Sequence, residues 1–156
     1  MNRSILALKL LVSILAAAAV VSGQPADRYT AVEVDPFAVN KAVALPAGYP
    51  SALAESIARE LSVEFPTILI LRQGEPAPDR QRILRVSGTV LQFKAPNPAK
   101  KLLTGFGGGA AVAAGVRFED VATKRVVKIQ EFQAAPDSLG KKIAKFCTSE
   151  RLFEAK

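Results

Sequence analysis

Alternation of apolar and polar positions is clearest in the second half of the chain. Apolar side chains occupy every second position from residue 112 to residue 118, which is typical of a half-buried strand. The pattern resumes at residues 125–133, after a short polar stretch at residues 120–124. Two such strands separated by about five residues predict an antiparallel hairpin.

Three further segments have the length and pattern of strands. Residues 29–35 alternate, and residues 67–72 form a continuous apolar run that predicts a buried central strand. Residues 81–94 read as a long strand in which Leu84, Val86 and Val90 share one parity, whereas Leu91 and Phe93 have the other. Gly88 lies inside this run and predicts a β-bulge that shifts the register, unless the strand is covered on both faces near its end.

Two segments show the spacing of amphipathic helices. The first covers residues 51–64 and ends before Pro66, and the second begins after Pro136. The apolar faces that we expect to be buried consist of Leu53, Ala54, Ile57, Ala58 and Leu61 in the first helix and Leu139, Ile143, Phe146 and Cys147 in the second. Together the elements predict an α+β fold, a mixed and largely antiparallel sheet of about five strands with two helices packed against it.

The first 23 residues have the composition of a signal peptide. Arg3 and Lys9 precede an uncharged, apolar run at residues 10–21, which is shorter than the roughly 20 residues of a spanning helix. Cleavage before Gln24 would leave one domain, residues 24–156, with its core at about residues 29–147. The alternative is an uncleaved N-terminal anchor. The leader predicts an exported protein, located in the periplasm or associated with the cell envelope.

A glycine-rich segment separates the long strand from the hairpin. It carries Gly105, Gly107, Gly108 and Gly109. Gly105, Gly107 and Ala110 fit the spacing of a dinucleotide-binding loop, but prolines and lysines precede them where a strand would be required. The spacing of Gly105 and Gly109 also occurs where membrane helices pair, yet this segment is too short to span as a helix. Membrane insertion as part of an oligomeric hairpin is a further alternative. We interpret the segment as a loop whose glycines supply special backbone angles.

The composition argues against most catalytic and metal chemistry. The chain has no histidine, which is the commonest general base and metal ligand, and its one cysteine, Cys147, lies on an apolar helix face. Glu119 and Asp120 are adjacent in a strand and so point to opposite faces. We expect Asp120, with Thr123, to accept hydrogen bonds within the turn. The sequence therefore predicts no enzyme activity, no cofactor and no metal.

The charge of +7 is modest, and the basic pairs lie on separate predicted elements. The sequence therefore predicts no nucleic-acid partner, and we expect the pairs to be solvated faces. Lys100 and Lys101 stand beside the glycine-rich segment, where they are candidate contacts to an acidic partner.

The segment from Val86 to Val127 resembles a family of exported bacterial proteins catalogued as domain of unknown function 4410. The resemblance is carried by an internal Ser-Gly in the long strand, the run Leu-Leu-Thr-Gly-Phe-Gly-Gly-Gly, a strand ending in Phe-Glu-Asp, and Thr123 in the turn. It implies an envelope-associated α/β domain, often lipid-anchored, with no established activity. This chain lacks the anchoring cysteine and carries Lys124 where glycine is usual.

These patterns favour a non-enzymatic interaction or assembly module of the cell envelope. Its partner would be another envelope protein or an acidic polymer, contacted by Lys100, Lys101 and the four glycines that follow. The alternative is a module that binds a small ligand or a polysaccharide in a groove between the helices and the sheet.

Overall fold

The computed structural model describes residues 28–79, 81–96 and 109–153. The signal peptide predicted at residues 1–23 lies outside these ranges. In chain order the elements are β1 (Ala31–Val34), β2 (Ala38–Val39), α1 (Tyr49–Glu64), β3 (Leu69–Leu71), β4 (Ile83–Lys94), β5 (Ala111–Asp120), β6 (Arg125–Ala134) and α2 (Leu139–Ser149).

The strands form one sheet in the order β3-β1-β4-β5-β6, and β2 pairs with β4 beyond the end of β1. The three long strands β4, β5 and β6 form an antiparallel meander, whereas β1 pairs in parallel with both β3 and β4. The predicted α+β architecture is confirmed, with six strands where about five were expected. The additional strand is β2, whose two residues are too few to produce a periodic pattern.

One face of the sheet carries the helices and contains the core. Val32, Leu84, Val86, Val116 and Phe118 are all fully buried and belong to the cluster that the helices cover. Residues two positions apart in a strand point to the same face of the sheet. These five side chains follow that spacing in β1, β4 and β5, so they all point to the same side. The opposite face carries charged side chains, which is the pattern of a sheet covered on one side.

Both helices pack through the faces that their spacing predicts. Helix α1 begins at Tyr49 with Pro50 in its first turn, a position where the missing N–H of proline has no cost. Helix α2 approaches α1 at Gly140, where an added Cβ would lie 2.9 Å from Ser56 Oγ and 3.1 Å from the Ser56 carbonyl carbon. The glycine that weakens α2 locally therefore permits the close contact between the two helices.

Strand β3 corrects one prediction. Residues 67–72 were expected to form a buried central strand, but β3 lies at the edge of the sheet. Leu69 is exposed, Ile70 is half-buried and Leu71 is buried. A short apolar run does not distinguish an edge strand from a central one, because both can be buried on one side by neighbouring segments.

The register of β4 changes, but not at Gly88. The irregularity lies between Val90 and Gln92, so that Leu91 is the extra residue and Phe93 pairs with Val112. This bulge brings Phe93 to the core side, where its ring meets that of Tyr49 at 5.5 Å. Gly88 has a different role, because a Cβ there would lie 2.8 Å from Phe37 Cδ1 and 2.6 Å from the Gly115 carbonyl oxygen.

Within the described residues, neither helix is long and apolar enough to cross a membrane.

Candidate functional site

The loop singled out by the sequence falls mostly outside the described residues. Lys100, Lys101, Gly105, Gly107 and Gly108 are not described, whereas Gly109 is an exposed bend just before β5. A Cβ on Gly109 would meet nothing within 4 Å, and no positive φ is recorded there. Gly109 therefore serves neither a close approach nor a left-handed backbone. The proposed contact role of all six residues, Gly109 included, stays a prediction.

A groove of about 500 Å³ lies at the end of the sheet from which this segment leaves. Its walls come from the ends of β4 and β5, from Gln133 of β6 and from the residues after β2. The lining is mixed: Val43, Leu91 and Phe93 are apolar, whereas Lys94 and Gln133 offer polar groups. This volume lies within the usual range of ligand pockets.

The interface between the helices and the sheet is occupied by packed side chains. Its described side chains form one continuous buried cluster that runs from both helices to β1, β4, β5 and β6. Phe146 of α2 lies between the rings of Phe118 and Phe132, at centroid distances of 5.4 and 5.3 Å. The groove between helices and sheet that the alternative function required is therefore filled.

Asp120 has the turn role that the sequence predicts. Its Oδ1 accepts a hydrogen bond from the backbone N–H of Thr123 at 2.9 Å. Its Oδ2 accepts from the Tyr29 hydroxyl and from Arg82 Nη2, each at 3.2 Å. Desolvation acts to raise the pKa of Asp120, but the hydrogen bonds from Thr123, Arg82 and Tyr29 outweigh it and lower the pKa below its ordinary value. A carboxylate held ionised in this way joins three segments of chain.

A second charged group occupies the face of the sheet opposite the helices. Glu33 pairs directly across from Arg85 in the parallel register and accepts hydrogen bonds from its Nη2 at 2.9 Å and its Nε at 3.1 Å. The backbone N–H of Gly74 also donates to Glu33, at 3.2 Å. Asp35 lies 3.7 Å from Arg85 Nε, while its Oδ1 is buried with no hydrogen-bond partner in the described structure. Burial and the charge of Glu33 raise the pKa of Asp35.

This charged group could hardly be predicted from the sequence. Glu33 and Arg85 are 52 residues apart, and only the register of two parallel strands brings them together. The alternation of charged with apolar residues along β1 placed Glu33 on the outer face, but it could not identify the partner.

These side chains have structural roles rather than the arrangement of a reactive site. Glu33 and Asp120 are both committed to basic partners, and Cys147 is fully buried, which raises the pKa of its thiol to about 12. Among the described residues, no three or more His, Cys, Asp or Glu side chains come together as a metal site.

Neither a protein-family model nor a curated protein matches the chain, so the resemblance to domain of unknown function 4410 is not confirmed. Similar solved structures include a PelC dodecamer from Paraburkholderia phytofirmans, with a TM-score of 0.53, 17% identity and coverage of 82% of this chain and 91% of that one. The hypothetical protein CT253 from Chlamydia trachomatis gives a TM-score of 0.52 at 11% identity, with coverage of 80% and 96%. At these identities the likeness shows a shared fold among bacterial proteins.

Proposed function

We propose that this chain is a non-enzymatic module of the bacterial envelope that assembles with further copies of itself. The observation that carries the proposal is Ile129, which is 67% exposed on β6, the outermost long strand. Val126 is also exposed, at 37%, and the register places both on the face opposite the helices. Exposed apolar side chains on an edge strand are a typical contact surface for another chain.

The similar structures support assembly as a mode of action. PelC shares this fold and was solved as a dodecamer. The predicted signal peptide and the resemblance to an exported family support a location in the periplasm or at the envelope. The absence of histidine and the commitment of Glu33 and Asp120 to basic partners support a role without catalysis.

Assembly is tested by crosslinking the full chain in intact cells, followed by light scattering of the purified protein. We expect multimers for the natural chain and their loss in Ile129→Gln, because a polar side chain removes the apolar contact. Val63→Gln is the matched control, since Val63 is 72% exposed on α1, away from β6. A monomeric natural chain, or equal effects of the two substitutions, would contradict the proposal.

The glycine-rich segment is the proposed contact to other envelope partners. The double substitution Lys100→Glu with Lys101→Glu reverses two charges beside Gly105. We expect it to remove crosslinks to other proteins while leaving the multimers intact. Unchanged crosslinked partners would rule out this contact.

A further inference from the structure

The positive charge of the described chain is concentrated at its C-terminal end. Residues 28–79 and 81–96 contain seven basic and seven acidic residues. Residues 124–153 contain seven basic residues and three acidic ones. All seven basic side chains of this last part are exposed: Lys124, Arg125, Lys128, Lys141, Lys142, Lys145 and Arg151. We refer to these seven residues as the β6–α2 basic surface.

The packing of α2 along β6 brings the basic residues of the strand and of the helix onto adjacent elements. Lys142 Nζ, at the start of α2, donates a hydrogen bond to the carbonyl of Gln133 near the end of β6, at 2.9 Å. Lys128 Nζ, near the start of β6, lies 3.5 Å from Glu150 Oε2 just after α2. The strand and the helix therefore run in opposite directions side by side. Lys128 of β6 and Lys142 of α2, which belong to separate basic groups in the sequence, therefore lie along the same strand–helix junction.

Helix stability does not account for the lysines of α2. Lys141 and Lys142 lie in its first turn, where the positive end of the helix dipole disfavours a cation. This turn contains no acidic residue, and Ser138 makes no side-chain capping bond. The positive end of the helix dipole and the positive charges of the lysines therefore have the same sign. Together they strengthen the positive potential outside the helix.

The shape and composition of the surface select its partner. Eleven residues of helix span about 16 Å, so the charges form a strip rather than a pocket. A strip suits a linear chain of regularly spaced anions. The exposed large apolar side chains of β6, Val126 and Ile129, lie on the other face of the sheet, so this surface has no apolar group to enter a lipid layer. The ring of Phe146 packs between two other rings, so it offers no stacking platform for nucleobases.

We propose that the β6–α2 basic surface binds an acidic polysaccharide through the carboxylates of the polymer. This inference names an acidic polymer as partner of the proposed envelope module and rests on that proposal for its setting. The binding itself is a property of the purified protein.

The test is titration of the full-length protein with polygalacturonate, a linear polymer of uronic acid, at about 50 mM and about 300 mM salt. Binding should be detectable at the lower salt concentration and much weaker at the higher one. Lys141→Glu with Lys145→Glu should weaken it about tenfold or more, because two attractive charges become repulsive. Lys142 is left unchanged because it also bonds to Gln133. The matched control is Lys41→Glu with Arg59→Glu, an equal charge change at exposed positions of the N-terminal part.

Several outcomes would overturn the proposal. They are the absence of binding at low salt, an equal loss in the control, or tighter binding to phosphatidylglycerol vesicles or a single-stranded oligodeoxynucleotide than to polygalacturonate. If the double variant does not fold, Lys145→Gln replaces it and should weaken binding about twofold or more. Ile129→Gln should keep full binding, which separates this inference from the proposal on assembly.

Discussion

At the scale of single residues, two aspartates experience opposite environments. Asp120 is ionised by its hydrogen-bond partners and has a lowered pKa, whereas Asp35 is desolvated beside Glu33 and has a raised pKa. Both side chains are largely removed from water, with exposures of 6% and 17%. The number of hydrogen-bond donors decides whether the pKa is lowered or raised. Asp120 accepts hydrogen bonds from three groups, while one oxygen of Asp35 has no partner.

The two aspartates should therefore give stability opposite dependences on pH. The contribution of Asp120 is complete above its ordinary pKa of 3.8 and is lost as the pH falls through the lower folded value. The contribution of Asp35 declines as the pH rises from 3.8 through its higher folded value, because the unfolded chain releases this proton first while the folded state still retains it. Asp120→Asn should therefore destabilise the protein more at about pH 7 than at about pH 3. Asp35→Asn should destabilise it less at about pH 7 than at about pH 3.

Urea denaturation of both variants and the natural chain at the two pH values measures these differences. The same sign of pH dependence for both substitutions would show that the assigned environments are wrong.

Residue roles could be predicted only where the partners are close in sequence. The bond between Asp120 and Thr123 was predictable because a short turn fixes its geometry. The additional bonds of Asp120 to Tyr29 and Arg82 were not, because they depend on where β1 and β4 meet β5.

At the scale of elements, the packing of the β4, β5 and β6 meander depends on a missing side chain in its central part. Gly88 and Gly115 lie on adjacent strands, and the ring of Phe37 occupies the space above Gly88. Phe37 follows β1 and is almost completely buried. The absent side chain of Gly88 thus allows an aromatic ring to fill the core, which explains a glycine inside a long strand.

Gly88→Ala should destabilise the protein by about 1–3 kcal/mol, because the added methyl group overlaps Phe37 and a backbone oxygen that cannot move freely. Gly109→Ala is the matched control and should change stability by less than about 0.5 kcal/mol, since its Cβ would enter open space. Chemical denaturation at equilibrium measures both values. Equal effects at the two positions would contradict this account of Gly88.

Long, regular elements were predictable, and short or irregular ones were not. Strands β5 and β6 and both helices follow from periodicity over ten or more residues. The bulge was expected at Gly88 and lies at Leu91, because a glycine in a strand indicates either a bulge or a close approach and the sequence does not say which.

At the scale of the whole molecule, charge is distributed differently in space and in sequence. The sequence predicts the basic pairs of β6 and α2 to be independent solvated faces, because each belongs to a different element. These pairs come close together because helix α2 runs back along strand β6. A local sequence pattern cannot predict this packing of one element on another. The surface most relevant to an anionic partner was therefore visible only in the fold.

The pairing of β1 has a consequence for the order of folding. Ala31 pairs with Leu69 on one side and Ile83 on the other, so β1 is synthesised before both of its partners. Strands β4, β5 and β6 are neighbours in the chain and close shorter loops. We expect the meander to form first and to act as a template on which the N-terminal strand is placed.

Pulsed hydrogen exchange during refolding can time these events. Amides of Phe118 and Ile129 should become protected before those of Val32 and Ile70, and earlier protection of β1 would reverse the order. Until β4 is in place, β1 can pair only with the three residues of β3 at the edge of the sheet. The first of the described strands to be synthesised would then be among the last to reach its native position.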